Sequence, residues 1–117
     1  MNNKLNFCLI KASLPSYFPD KYDVWGKSLS GLKKICKGLN VNLKIIDEIP
    51  MNANDAKNAL AECYEVKADF VLILHGGFTM GDVALTFAET KFKLGFWSVP
   101  EPIRTGDIQL NNFVSLN

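Results

Sequence analysis

Residues 68–79 read ADFVLILHGGFT, and the fold turns on how this stretch divides. Residues 68–74 (ADFVLIL) form a nearly continuous apolar run. A strand with one wet face would alternate, so an unbroken run of this length predicts a strand covered by helices on both faces. His75-Gly76-Gly77-Phe78-Thr79 then interrupts the run with two glycines, and residues 79–82 (TMGD) set a hydroxyl and a carboxylate three positions apart. That spacing has the shape of a capping box, which satisfies free amides at a helix start, and it predicts a helix running to about Thr90. Buried strand, glycine turn and capped helix in succession are the unit from which parallel sheets are built.

The same unit recurs on both sides. Upstream, residues 5–10 (LNFCLI) predict the first, central strand. After a loop containing Pro15 and Pro19, Trp25, Leu29, Leu32, Cys36 and Leu39 follow at helical spacing as one stripe, with Gly38 as a stop signal. Lys27, Lys33, Lys34 and Lys37 fall on other faces of that helix and are expected to be solvated. Val41, Leu43 and Ile45 alternate with polar residues, as in a half-exposed edge strand. Asn54 is positioned to cap a second helix with Ala56, Leu60 and Cys63 facing inward. Downstream, residues 94–99 (LGFWSV) predict a fourth strand, with Phe96 and Trp97 as core residues on opposite faces, stopped by Pro100 and Pro102. Residues 108–116 supply a fifth.

The resulting order, β-α-β-α-β-α-β-β, predicts a three-layer α/β/α domain of flavodoxin-like type. Its mainly parallel five-stranded sheet has the expected order 2-1-3-4-5. Ligands in such sheets bind beyond the carboxyl ends of the strands, where strand order reverses, here between the first and third strands. Residues 11–19 and 75–79 would flank that crevice, with residues 99–107 beside it. A doubly wound domain ordinarily finishes with a helix over its last strand, and none follows residue 116. Either a sheet edge stays bare or the chain is part of something longer. The expectation is that residues 1–117 form one domain, the amino-terminal fragment of a longer protein.

Composition bounds the function. The 117 residues, 48% of them apolar, suffice for one core. Thirteen Lys and Arg against twelve Asp and Glu leave a net charge of +1, which gives no field for holding a polyanion, so nucleic acid is not an expected partner. No apolar stretch approaches the ~20 residues needed to span a bilayer, and the opening residues lack a signal-peptide core. The chain is therefore expected to be soluble and cytoplasmic, away from membranes. Cys8, Cys36 and Cys63 show neither CxxC nor Cys/His spacing and are expected to be reduced packing residues.

The leading candidate site is His75-Gly76-Gly77-Phe78-Thr79, at the mouth of the crevice. The glycines permit backbone approach to a ligand, the helix start offers free amides, and an imidazole exchanges a proton near neutral pH. A tight turn whose histidine satisfies a carbonyl accounts for the same residues. Lys11, Ser13, Ser16 and Tyr17 could hydrogen-bond a polyol or simply keep a loop soluble. Glu101 and Arg104 flank a proline-stiffened loop, where they could hold sugar hydroxyls or pair with each other. There is no Walker loop, GxGxxG or GxSxG, and no cluster of carboxylates and histidines sufficient for a catalytic divalent metal. On its own residues the chain is expected to be a binding or assembly module.

Residues 99–117 (VPEPIRTGDIQLNNFVSLN), with their Pro-Glu-Pro, Thr-Gly pair and alternating strand, resemble a segment of the L-fucose/L-arabinose isomerase-like proteins. Upstream, LILHGGFTMGDVA is similar to that family's strand-to-helix turn. The resemblance implies a parent that is a metal-dependent aldose-ketose isomerase, with Mn2+ held by acidic residues and a histidine in later domains. There the metal polarises substrate oxygens while an acid/base pair moves protons through an enediol. For this chain the resemblance implies an amino-terminal domain that makes subunit contacts in a homo-oligomer and helps close a sugar pocket through the His75–Thr79 turn. It would be inert alone and carry no cofactor of its own. Where some members have a histidine in that turn, the aligned residue here is Gly76, with His75 one place earlier. The alternative is a freestanding flavodoxin-like module that binds a small sugar or anion. A flavin or nucleotide protein is disfavoured, because no phosphate-cradling loop follows the first strand.

Overall fold

The computed structural model describes residues 4–13, 23–76 and 81–99. In chain order these form β1 (Asn6–Ala12), α1 (Val24–Leu39), β2 (Asn42–Ile45), α2 (Ala53–Glu65), β3 (Phe70–His75), α3 (Gly81–Ala88) and β4 (Lys93–Ser98). The strands make one parallel four-stranded sheet in the order β2-β1-β3-β4. The fifth strand expected at residues 108–116 lies outside the described residues. Among the described residues no helix is long and apolar enough to cross a membrane.

Connectivity dictates where the helices go. From β1 the chain steps to β2 on one side, then passes back over β1 to β3 and on to β4. Because crossovers between parallel strands are right-handed, reversing the direction of travel moves the helix to the other face of the sheet. Accordingly, Val24 and Trp25 of α1 pack with Leu9 and Leu74. Ala56, Ala59 and Cys63 of α2 and Val83 and Phe87 of α3 pack with Cys8, Ile10, Ala12, Val71 and Ile73. Alternate residues of β1 and β3 thus feed different clusters, which is why both strands read as continuous apolar runs.

Register is pinned at the amino-terminal end of the sheet. The Asn6 amide donates to Asp69 Oδ2 at 2.7 Å, the Asp69 amide donates back to the Asn6 carbonyl at 2.7 Å, and Asn42 Nδ2 donates to Asn6 Oδ1 at 2.9 Å. One asparagine therefore ties β1 to the starts of both neighbours. From there the pairing runs Phe7 to Phe70 and ends with Ala12 beside His75.

Several sequence expectations need correction. The cap of α2 is Asn52, whose Oδ1 accepts from the Asp55 amide at 2.9 Å; Asn54 lies inside the first turn. α1 is closed not by Gly38 but by Asn40, which adopts the left-handed conformation at φ 57° with its amide directed to the Cys36 and Lys37 carbonyls. Leu39, assigned to the inward stripe of α1, is 63% exposed in the last turn of the helix. α3 ends at Ala88 rather than Thr90, where the Thr90 hydroxyl and amide both donate to the Phe87 carbonyl. Thr79 of the expected capping box lies outside the described residues, while Asp82 Oδ2 accepts from the Ala53 amide at 3.2 Å and so joins α3 to the start of α2. Phe96 is not a core residue: it is 48% exposed on β4, while Trp97 packs into the α1-side cluster.

Candidate functional site at the carboxyl ends of β1 and β3

The strand order reverses between β1 and β3, and in parallel sheets ligands characteristically bind at the carboxyl ends of the strands on either side of such a point. The residues at this edge are Ala12 and Ser13 of the first strand and its exit, and His75 and Gly76 of the third. Ala12 pairs with His75, and His75 pairs with Ser98 on β4. The Gly76 amide donates to the Ala12 carbonyl at 3.0 Å and extends the ladder by one bond past the strand.

Ser13 and His75 are the two buried polar side chains among the described residues, at 4% and 2% exposure. His75 was expected in the turn but is the last residue of β3, so its ring is directed by the strand's alternation, on the same side as Ile73. It stacks on the Phe96 ring with centroids 6.0 Å apart and planes inclined by 25°. Burial lowers the imidazole's pKa from its ordinary value, because the charged form would forfeit hydration. At neutral pH the ring is therefore the uncharged tautomer, with one donor and one acceptor nitrogen.

Gly76 has a structural occupant. A side chain there would run into Trp25, with Cβ 2.6 Å from Cζ3 and 2.9 Å from Cζ2. The absent side chain thus leaves room for the indole from the first turn of α1 beside the backbone where β3 ends. Trp25 belongs to the cluster with Leu9 and Leu74, while His75 stacks on Phe96.

Sequence reasoning did not single out Ser98. Its Oγ is buried and makes no hydrogen bond among the described residues, and its register partner is His75. The signal was weak: a serine two residues past an aromatic, whose position opposite His75 depends on the β3–β4 register. Trp25 was assigned only to a helix stripe, and no spacing rule links it to a glycine fifty-one positions away.

Of the predicted site residues, His75 and Gly76 are brought together with Ala12, Ser13, Trp25 and Ser98. Gly77, Phe78, Thr79, Glu101 and Arg104 lie outside the described residues, as do Ser16 and Tyr17. Lys11 lies on β1, half-buried beside Leu74. Among the described residues no three His, Cys, Asp or Glu side chains gather closely enough to hold a metal ion. This edge of the sheet thus brings together a buried imidazole, Ser13 and the buried Ser98 hydroxyl. Comparison of the chain with protein-family models, curated proteins and solved structures returned no match.

Proposed function

We propose that this chain is a three-layer, flavodoxin-like domain that binds a small hydroxyl-bearing ligand, a sugar or similar polyol, at the carboxyl ends of β1 and β3. The observation that carries this is the placement of Ser13 and His75: the two buried polar side chains among the described residues occupy the two strand ends that flank the switch point. Ligands of such sheets bind at this edge, so a buried serine and a buried imidazole falling there together favour a site. Neutral donors and acceptors suit an uncharged ligand, and the net charge of +1 adds no pull on anions. The proposed location is cytoplasmic, which three unbridged cysteines favour.

The test is amide chemical-shift mapping of the full chain with L-fucose, L-arabinose and inorganic phosphate. Saturable shifts confined to Ala12, Ser13, His75, Gly76 and Ser98 with a sugar are expected. Shifts elsewhere, or none at millimolar sugar, would overturn the site.

A narrower reading makes this the amino-terminal domain of an L-fucose/L-arabinose isomerase-like protein, contributing pocket closure and subunit contacts to a homo-oligomer whose Mn2+ lies in other domains. It is supported by the resemblance of residues 99–117 and of the His75 turn. On this reading the chain supplied with Mn2+ interconverts no aldose and ketose, and measured turnover sinks it.

A further inference from the structure

At the end of the sheet opposite the candidate site, Phe7 of β1, Phe70 of β3 and Lys93 of β4 stand in one register row. With Leu5 and Asp69, the residues that lead into β1 and β3, they line a cavity of about 320 Å³. That volume lies at the lower end of the roughly 300–1,000 Å³ typical of small-molecule sites. The lining takes no residue from α1, α2 or α3, so among the described residues the sheet and its entry segments build the cavity alone.

Strand alternation puts Phe7 and Phe70 on the same face as Leu9 and Leu72, the side that α1 packs against. Their rings meet with centroids 5.2 Å apart and planes inclined by 43°. Both are half-buried, whereas Leu5, Asp69 and Lys93 are exposed. An apolar lining thus carries one charge of each sign on its exposed side. Asp69 Oδ2 accepts the Asn6 amide at 2.7 Å, which leaves the carboxylate further lone pairs for a second donor. Gly95, two residues beyond Lys93, seats the Phe70 ring: a Cβ there would lie 2.7 Å from Phe70 Cζ and 3.2 Å from Leu72 Cδ1. Any side chain at position 95 would displace the ring that lines the cavity.

We propose that this cavity is a ligand site separate from the Ser13 and His75 edge, and that its ligand is a free α-amino acid with an apolar side chain. The side chain packs on Phe7, Phe70 and Leu5, the ammonium is held by Asp69 and the carboxylate by Lys93. Charge complementarity selects this class. A hydrocarbon leaves both protein charges unmatched, and an apolar anion or cation alone pairs with one of them while meeting the other as a like charge. The volume suits a single residue rather than a peptide.

The experiment is amide chemical-shift mapping of the full chain with L-phenylalanine, set against phenylacetate, which lacks the ammonium, and phenethylamine, which lacks the carboxylate. Saturable shifts at Leu5, Phe7, Asp69, Phe70 and Lys93 are expected with L-phenylalanine, and weaker binding of both analogues. Asp69→Asn keeps an oxygen for the Asn6 amide while removing the charge, and should weaken L-phenylalanine binding about tenfold or more. Gly95→Ala should weaken all three compounds together, because it moves the Phe70 ring. If either variant does not fold, the three compounds on the parent chain still decide the matter. No shifts at millimolar L-phenylalanine, shifts confined to the opposite end of the sheet, or an analogue binding as tightly as the amino acid would each overturn the proposal.

Discussion

Replacing Gly76 with alanine sets two effects of opposite sign against each other. Glycine to alanine at a position that tolerates a side chain stabilises by about 0.4–1 kcal/mol through the unfolded chain, and the backbone of Gly76 is not left-handed, so φ raises no objection. Against this stands the indole. The new methyl would lie 2.6 and 2.9 Å from two ring carbons of Trp25, where relaxed carbon contacts are about 3.5–4 Å. The ring has little room to retreat: Trp25 is 8% exposed and packed with Leu9 and Leu74 under the first turn of α1. Overpacking of this kind costs about 1–3 kcal/mol, and the rigidity of the ring puts the expected loss near the upper end, about 2 kcal/mol net of the entropic gain. Urea unfolding of Gly76→Ala should show that loss as a lower midpoint with an unchanged slope. The contact is isolated by a double-mutant cycle with Trp25→Phe, which removes the offending ring atoms. In that background Gly76→Ala should cost less than about 0.5 kcal/mol. Equal losses in both backgrounds would refute the claim that Gly76 exists to seat Trp25.

Two further outcomes follow from the same geometry. His75 is the sole histidine and its folded pKa is depressed by burial, so the unfolded chain takes up a proton first as pH falls. Stability is then fully present above the unfolded value of about 6.5 and declines as pH falls toward the folded value, by up to about 1.4 kcal/mol per pH unit. Urea midpoints between about pH 7.5 and 5.5 should fall in the parent chain and stay flat in His75→Gln; a decline of equal size in both would assign it to carboxylates instead. Asn52→Ala removes the side-chain acceptor at the start of α2 and should cost about 1 kcal/mol, whereas Asn54→Ala should change the urea midpoint little; the reverse ranking would contradict the observed cap.

Legibility in the sequence followed the range of the interaction. The apolar runs that became β1 and β3 were readable because each strand serves two clusters, and a strand buried on both faces leaves no polar period. The error at α2 is instructive: two asparagines two positions apart both make good caps, and the one used is set by where the incoming chain turns after Pro50. Leu39 and Phe96 fit a helix stripe and a strand alternation, yet both are exposed. Periodicity reports which face a residue shares, and what covers that face depends on neighbours far away in sequence. For the candidate site, His75 and Gly76 were found from the glycine interruption, whereas Ser98 and Trp25 were not, because their roles arise from strand register and helix docking.

By itself the sequence determined the alternation of strands and helices, the places where the chain breaks at glycine and proline, and a parallel α/β sheet. These depend on patterns within a dozen residues, and short-range backbone and solvation preferences act on that scale. Only the tertiary structure decided that Trp25 fills the space beside Gly76, that His75 faces Phe96 and neighbours Ser98, and that Cys8 and Cys63 share one buried cluster. Each of these contacts joins elements whose relative placement is set by right-handed crossovers and by the register that Asn6 anchors, and burial forces such contacts only once the helices have docked.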